Sequence, residues 1–342
     1  MPRTENRFIY MLKGIACILV IFVHYPLEGE MRLWTMTLGR MTVPLFFIAA
    51  GRFMYAENGG YRRLWRKFFR LSGIALGVLA VYTLYSWIIW HGQGMSTAQW
   101  VQMKYQPIEW LRQLVFNDSM IICDGSYVFD SIWFLFALVW VHFAMIIMWP
   151  WRKDIKQAIS IGLLAMFYIC EYLGFSATVP ILRVWSGDAI IYRNWLFMGL
   201  PFALIGVWIS QTDVKKAGNP LVWWTIVACG LFIALREAKH FLEREQPIGI
   251  VMMTIALAVL AEYYPDRGSR LLVFVGKHLS ANIYYWHVLL GSIIGRYVHN
   301  VGAESCYTHI PWMVLIAAVL LSLILYGGKR QLMARKKRLK RP

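Results

Sequence analysis

The sequence predicts an all-α fold, a polytopic bundle of transmembrane helices. Three observations lead there. Of the 342 residues, 59% are hydrophobic and only 15% charged, far from the balance of a soluble globular chain. Mean hydropathy is +0.50, and several apolar runs approach or exceed the length that crosses a hydrocarbon core. Seventeen tryptophans and eighteen tyrosines suit aromatic belts at the two membrane interfaces.

About ten spans are expected, at roughly 8–26, 40–56, 68–90, 131–149, 156–174, 194–211, 220–236, 247–264, 271–290 and 311–327. Basic residues set their orientation. With the N-terminus inside, the cytoplasmic segments are the start, YRRLWRKFFR, WRKDIK, DVKK, DRGSR and the tail KRQLMARKKRLKRP. They hold most of the Lys and Arg, which is the positive-inside pattern, and an even number of spans puts both ends in the cytoplasm. A net charge of +17 would suggest nucleic acid in a soluble chain. Here the basic tail reads as a topology signal that also touches anionic membrane lipid, and no nucleic-acid partner is expected. The five cysteines (Cys17, Cys123, Cys170, Cys229, Cys306) form no CxxC pair, so neither a metal site nor a disulfide framework is expected. Lys13 interrupts the first apolar run and no A-x-A site follows, so that run does not read as a cleavable signal.

The first span, FIYMLKGIACILVIFVHYP, carries two ionisable residues, Lys13 and His24. A lysine at a helix centre in hydrocarbon costs roughly 2.5–3.5 kcal/mol, so such groups usually face a bundle interior or a wet cavity. Eleven residues turn an α-helix through about 1100°, three turns and ~20° more, which puts both on one face about 16 Å apart. The plainer alternative has Lys13 snorkelling to the headgroups and His24 as a buried structural histidine.

The second span, RMTVPLFFIAAGRF, contains Pro44 and Gly51, breakers tolerated where neighbours or cavity waters satisfy the freed backbone. The expectation is a kink, with Arg52 either snorkelling or joining a nearby site. Next, Arg63, Arg66, Lys67 and Arg70 recur at three- and four-residue steps and share a helix face. They read either as a plain positive-inside segment or as a cytoplasmic pocket for phosphates, which arginine binds as a fork. The outer loop at 91–130 is long enough to fold over the outer face, and its Asp118, Asp124 and Asp130 are candidates for a substrate hydroxyl or simply solvated. The segment REAKHFLEREQ reads as an interfacial helix end with Glu237, Phe241 and Glu245 on its wet side. In GKHLSANIYYWH, Gly276, Ser280, Ile283, Tyr284 and His287 fall on one side of a helix. A P-loop, GxGxxG, HExxH and GxSxG are all missing from the sequence, which argues against a nucleotide motor, a zinc protease and a common serine hydrolase.

As an ordered set these pieces resemble the acyltransferase-3 family of integral membrane O-acyltransferases, over nearly the whole chain. Lys13 and His24 in LKGIACILVIFVH match a first-helix pattern of Arg, ten residues, His. VPLFFIAAG is similar to an FFxxSG stretch, RKFFRL to a basic RxxR cluster, IWFLFALV to a WFL element, and GKHLSANIYYWH to a G–S–IYxxH element. Two positions depart: Lys13 keeps the charge but not the fork of arginine, and Ala50 stands where Ser is common.

The resemblance implies a membrane acyltransferase domain over 1–328, followed by a basic cytoplasmic tail over 329–342. It implies transfer of an acyl group, acetyl from acetyl-CoA, to a hydroxyl of a cell-envelope or exported glycan or a lipid-linked sugar, in a bacterial plasma membrane. His24 and Lys13 are then the catalytic candidates, with His24 a base or an acyl carrier. Arg63, Arg66, Lys67 and Arg70 become the acyl-CoA site, Arg52, Tyr284 and His287 substrate or structural candidates, and no metal is needed. The competing expectation is a glycan or lipid transporter or flippase that moves its cargo without acyl transfer.

Overall fold

Without water, a lipid-embedded backbone satisfies its own hydrogen bonds most simply as helix, and helix is what the apolar runs adopt. A computed structural model describes residues 5–56, 60–104, 107, 111, 114–115, 132–173, 193–214, 218–240 and 246–339. Among the described residues there is no strand. Six helices among the described residues are long and apolar enough to cross a membrane: Arg7–His24, Glu30–Met54, Tyr61–Gly92, Lys153–Tyr172, Pro220–His240 and Ser305–Arg335. Shorter apolar helices span Trp133–Ile147, Trp195–Gln211 and Ile248–Tyr263.

Helix α1 (Arg7–His24) starts at Asn6, whose side-chain oxygen accepts the Ile9 N–H at 2.9 Å. That cap satisfies one of the orphan donors of the first turn. The same side chain donates to the Ala261 carbonyl at 2.7 Å, tying α1 to the end of another helix.

The second apolar run departs from expectation. A short helix, α2 (Glu30–Gly39), comes first, and α3 (Thr42–Ala56) follows after a two-residue turn at Arg40–Met41. Pro44 lies in the first turn of α3, where a missing N–H removes no helical bond, and the chain breaks ahead of it at the Arg40–Met41 turn. Gly51 continues the helix and serves packing instead: a Cβ there would overlap the Ala203 carbonyl.

Helix α4 (Gly60–Gly92) takes the basic cluster as its first turns, and α5 (Thr97–Lys104) follows. Asp118, Asp124 and Asp130 lie outside the described residues. Then come α6 (Trp133–Ile147), α7 (Lys153–Leu173), and a π-helical turn Trp195–Gly199 that leads into α8 (Leu200–Gln211). Helices α9 (Pro220–His240) and α10 (Ile248–Tyr263) pack closely on each other. Glu237 turns inward rather than to a wet face. It accepts the Tyr172 hydroxyl and the N–H groups of Ile248 (3.2 Å) and Gly249 (3.0 Å). A carboxylate at that helix start also meets the positive end of its dipole. Phe241 and Glu245, its expected companions, lie outside the described residues.

Helix α11 (Arg270–Phe274) passes through a second π turn, Val275–Leu279, into α12 (Ser280–Asn300). The last helix, α13 (Ile310–Leu339), carries on into the basic tail. Lys, Arg, Leu, Met, Ala and Gln are strong helix formers, and nothing in that stretch stops the helix.

Contacts sort the helix ends into two groups. At one end the Arg7 N–H meets the Pro265 carbonyl, Lys277 pairs with Glu5 at 2.7 Å, and the Tyr263 hydroxyl meets the carbonyls of Val214 and Gly218. Tyr326 and Arg330 of α13 join this end through Phe274 and His278. At the other end Glu171, Tyr172, Glu237, Gln246 and Ile248 cluster. The chain's early described residues and the Tyr326–Arg330 part of α13 therefore share one end with Val214, Gly218 and the 263–277 connection.

Candidate active site

The last turn of α1 is pinned to α12. The Tyr25 N–H closes the helix on the Ile21 carbonyl at 2.8 Å. Its hydroxyl donates to the Val288 carbonyl at 3.1 Å, and a Cβ at Gly291 would overlap its ring. At the opposite end, Gly14 lies under the Leu272 carbonyl and Gly276 under the Tyr10 carbonyl, both too close to admit a Cβ. These approaches hold α1 against α11 and α12, and they set which residues of the two meet.

What meets is a pair of histidines. The rings of His24 and His287 lie 5.1 Å apart, inclined by 57°. His24 is half-buried and His287 fully buried. On α12 the face expected from the sequence is the buried one: Ser280, Ile283, Tyr284 and His287 all point inward. The Ser280 hydroxyl donates back to the Gly276 carbonyl at 2.8 Å, across the π turn.

Two cavities flank α1. The first, about 160 Å³, is lined by Lys13 together with Phe46, Ala50, Phe134, Tyr284 and Tyr285. The Lys13 ammonium lies 5.7 Å from the Tyr10 ring centroid, and among the described residues no carboxylate pairs with it. The second, about 240 Å³, is lined by His24 together with Arg40, Trp133, Arg193, Met198 and Gln246. The Gln246 side-chain carbonyl is buried and accepts no hydrogen bond from any described residue.

The cavities share walls. On α6, Trp133 faces the His24 cavity and its neighbour Phe134 the Lys13 cavity; on α3, Val43 and Phe46 divide in the same way. A row of rings joins them: Phe46 to Phe134 at 5.9 Å, Phe134 to Tyr284 at 5.1 Å, Tyr284 to His287 at 6.0 Å. The His287–His24 contact completes the row. Lys13 and His24 therefore stand in two adjoining cavities along one helix, separated by aromatic side chains.

The remaining sequence candidates sit elsewhere. Arg63, Arg66 and Arg70 are exposed and Lys67 half-buried on the first turns of α4, and none lines either cavity. Arg70 is close enough to Tyr285, a wall of the Lys13 cavity, to act on it electrostatically. Arg52 is buried and holds Glu262 of α10 through both Nε and Nη2, the latter at 3.1 Å. Neither member of that pair lines either of the two cavities.

Sequence reasoning did not single out Arg40, Arg193 or Gln246, and Trp133 entered it only as part of the WFL element. A signal for two of them was present. Arg40 and Arg193 are basic residues at the end of the bundle expected to be poor in them, and an exception to the charge bias marks a residue kept for another reason. Gln246 has no such mark. Among the described residues no cluster of His, Cys, Asp and Glu could hold a metal ion.

A family model described as an acyltransferase domain matches residues 6–327. No curated protein and no solved structure matches the chain.

Proposed function

The chain belongs to the acyltransferase-3 family of multi-pass membrane acyltransferases, and from that premise we propose that it acetylates a hydroxyl of an envelope or exported glycan, or of a lipid-linked sugar, with acetyl-CoA as donor. The observation that carries the reading is the pair of adjoining cavities, one holding Lys13 and the other His24.

The end rich in basic connections is the cytoplasmic one, in a bundle of about ten spans with both termini inside a bacterial plasma membrane. CoA is polyanionic at its nucleotide end. Arg63, Arg66, Lys67 and Arg70 offer it four cations on one face of α4, and guanidinium forks suit its phosphates. The thin pantetheine arm then enters the largely apolar Lys13 cavity. Lys13, which no carboxylate among the described residues pairs with, stabilises negative charge on the donor. Movement of Phe46, Phe134 or Tyr284 lets the thioester reach His24.

The acceptor enters from the opposite end. Its hydroxyl lies beside His24, and a neighbouring hydroxyl donates to the unsatisfied Gln246 carbonyl. A polyol supplies such donors where an apolar acceptor does not. In direct transfer the imidazole takes the hydroxyl proton as the oxygen attacks the thioester carbonyl carbon. The carbon–sulfur bond breaks, the thiolate takes the proton from the imidazolium, and the products are the ester and CoA thiol. In the two-step form the imidazole lone pair attacks the thioester carbon first and CoA leaves as thiolate; the acceptor hydroxyl then displaces the acyl group from His24 and its proton passes to the thiolate, giving the ester, CoA thiol and neutral His24. Both routes balance without a metal. Arg52 serves as a strut between α3 and α10.

The test uses membranes containing wild type or His24→Ala, labelled acetyl-CoA and an envelope extract. Label should enter base-labile ester in wild type and fall at least about 100-fold in the variant, the scale that general-base catalysis supplies. Undiminished labelling by an inserted His24→Ala protein would overturn the role of His24. Glycan flux without any CoA donor would favour the transporter reading.

A further inference from the structure

His287 is the most completely buried ionisable side chain beside the proposed reaction centre, at 0% exposure. Its Nδ1 lies 2.9 Å from the Tyr284 carbonyl and 3.1 Å from the Ile283 carbonyl, both on its own helix. Carbonyl oxygens only accept, so Nδ1 carries the hydrogen and shares it between them. The other nitrogen, Nε2, is buried and has no hydrogen-bond partner among the described residues. A hydrogen on Nε2 would be a buried donor with no acceptor. A lone pair there is a buried acceptor with no donor, and either carries a desolvation cost unless a neighbour satisfies it.

One neighbour fits. The His24 ring lies 5.1 Å from the His287 ring. An N–H···N bond of ~2.9 Å between two imidazoles sets their centroids roughly 5 Å apart, so turning the His24 ring in place completes the bond without moving either helix. Catalytic hydrogen bonds are often long or misaligned before substrate enters and tighten afterwards. Both backbones are already held: α1 by Tyr25 on the Val288 carbonyl, and α12 by the Gly276 approach.

We propose that His287 is the positioning residue of the reaction centre, its Nε2 accepting an N–H of His24 and so holding the other His24 nitrogen, lone pair outward, toward the acceptor cavity. This rests on the acyl-transfer reading and says what makes His24 competent in it. A neutral imidazole has one N–H and one lone pair, and only the lone pair takes a proton or attacks a carbonyl. Left to itself His24 divides between two tautomers, one of which presents N–H to the cavity and is inert. The Ile283 and Tyr284 carbonyls fix the tautomer of His287, which in turn fixes that of His24. A carboxylate performs this service in the serine protease triad; here a histidine locked by its own helix does so without burying a charge.

The experiment uses the full chain in lipid nanodiscs with ¹⁵N-labelled histidine, and the His24 signals are assigned by their loss in His24→Ala. His287→Asn keeps an amide N–H near the two carbonyls and removes the acceptor. His287→Gln places an amide oxygen near the position of Nε2. Wild type should show one His24 tautomer, His287→Asn a mixture, and His287→Gln predominantly one. In the acetyl-transfer assay kcat should fall roughly 100-fold in His287→Asn with the KM of donor and acceptor unchanged, the range that general-base catalysis supplies. It should recover to within about tenfold of wild type in His287→Gln. Should His287→Asn fail to insert, His287→Phe, which keeps the ring shape and neither nitrogen, takes its place. An unchanged His24 spectrum in the acceptor-less variant would overturn the proposal, and so would equal losses in His287→Asn and His287→Gln. The spectrum needs no turnover. A protein without acetyl transfer whose His24 tautomer still depends on His287 would refute the acyl-transfer reading and leave the positioning intact.

Discussion

The pair formed by Arg52 and Glu262 separates a structural role from a functional one. Arg52 is 4% exposed and Glu262 19%, and two nitrogens of one meet two oxygens of the other. Glu262→Leu leaves the guanidinium buried with its charge uncompensated. Breaking a buried pair on one side costs about 3–5 kcal/mol. Water reaches part of Glu262, so the lower end applies, about 3 kcal/mol. At roughly 2 °C per kcal/mol for a larger chain, the melting temperature in mild detergent should fall by about 6 °C. The double variant Arg52→Met/Glu262→Leu removes both charges and refills the space with apolar atoms, so it should recover at least about 2 of those 3 kcal/mol. Melting is read by size-exclusion of heated, solubilised protein. Acetyl transfer below the melting range should stay within about twofold of wild type in the double variant, since neither residue lines the Lys13 or the His24 cavity. Two results would refute this reasoning. Additive losses would show that the residues are not coupled. A stable double variant without activity would place Arg52 at the reaction centre.

Three further outcomes follow from the geometry. Arg70→Ala should raise the KM for acetyl-CoA several-fold at unchanged acceptor KM, and the dependence on salt should weaken as one phosphate contact is lost; identical donor titrations would remove Arg70 from the CoA site. Lys13→Met should lower kcat/KM for the donor at least about tenfold, while Lys13→Arg, which keeps the charge and adds a fork, should retain most of it; equal losses would show that the site requires the ammonium shape rather than the charge. Gly276→Val places a side chain against the Tyr10 carbonyl, so it should cost about 1–3 kcal/mol by overpacking and reduce transfer beyond its loss of folded protein, because α1 and α12 are forced apart. Full activity per folded molecule in that variant would mean that the His24–His287 spacing is not critical.

Much of this was legible in the chain itself. Apolar runs mark the helices because each must satisfy its own backbone in lipid, and that requirement acts locally. The Ser280–His287 face was readable because helical periodicity is also local. The break expected at Pro44 falls ahead of it for a local reason as well: α3 starts at Thr42, two residues later than the expected span, and that moves the proline into the first turn. Glu237 was misread because its capping targets, the Ile248 and Gly249 N–H groups, begin a different helix.

By itself, then, the sequence determined the helical class, the clustering of basic segments, and the shared face of Lys13 and His24, since each depends on hydropathy, charge or spacing within one segment. Only the tertiary structure decided that His24 meets His287, that Lys13 and His24 open into adjoining cavities with common walls, that Gln246 and two arginines complete the second cavity, and that Arg52 is held by Glu262. Those facts depend on how helices cross. The crossings are set by backbone approaches at Gly14, Gly51, Gly206 and Gly276 and by two π turns that rotate the residues beyond them. Each approach involves a carbonyl from another helix, so no window along one segment contains both of its partners.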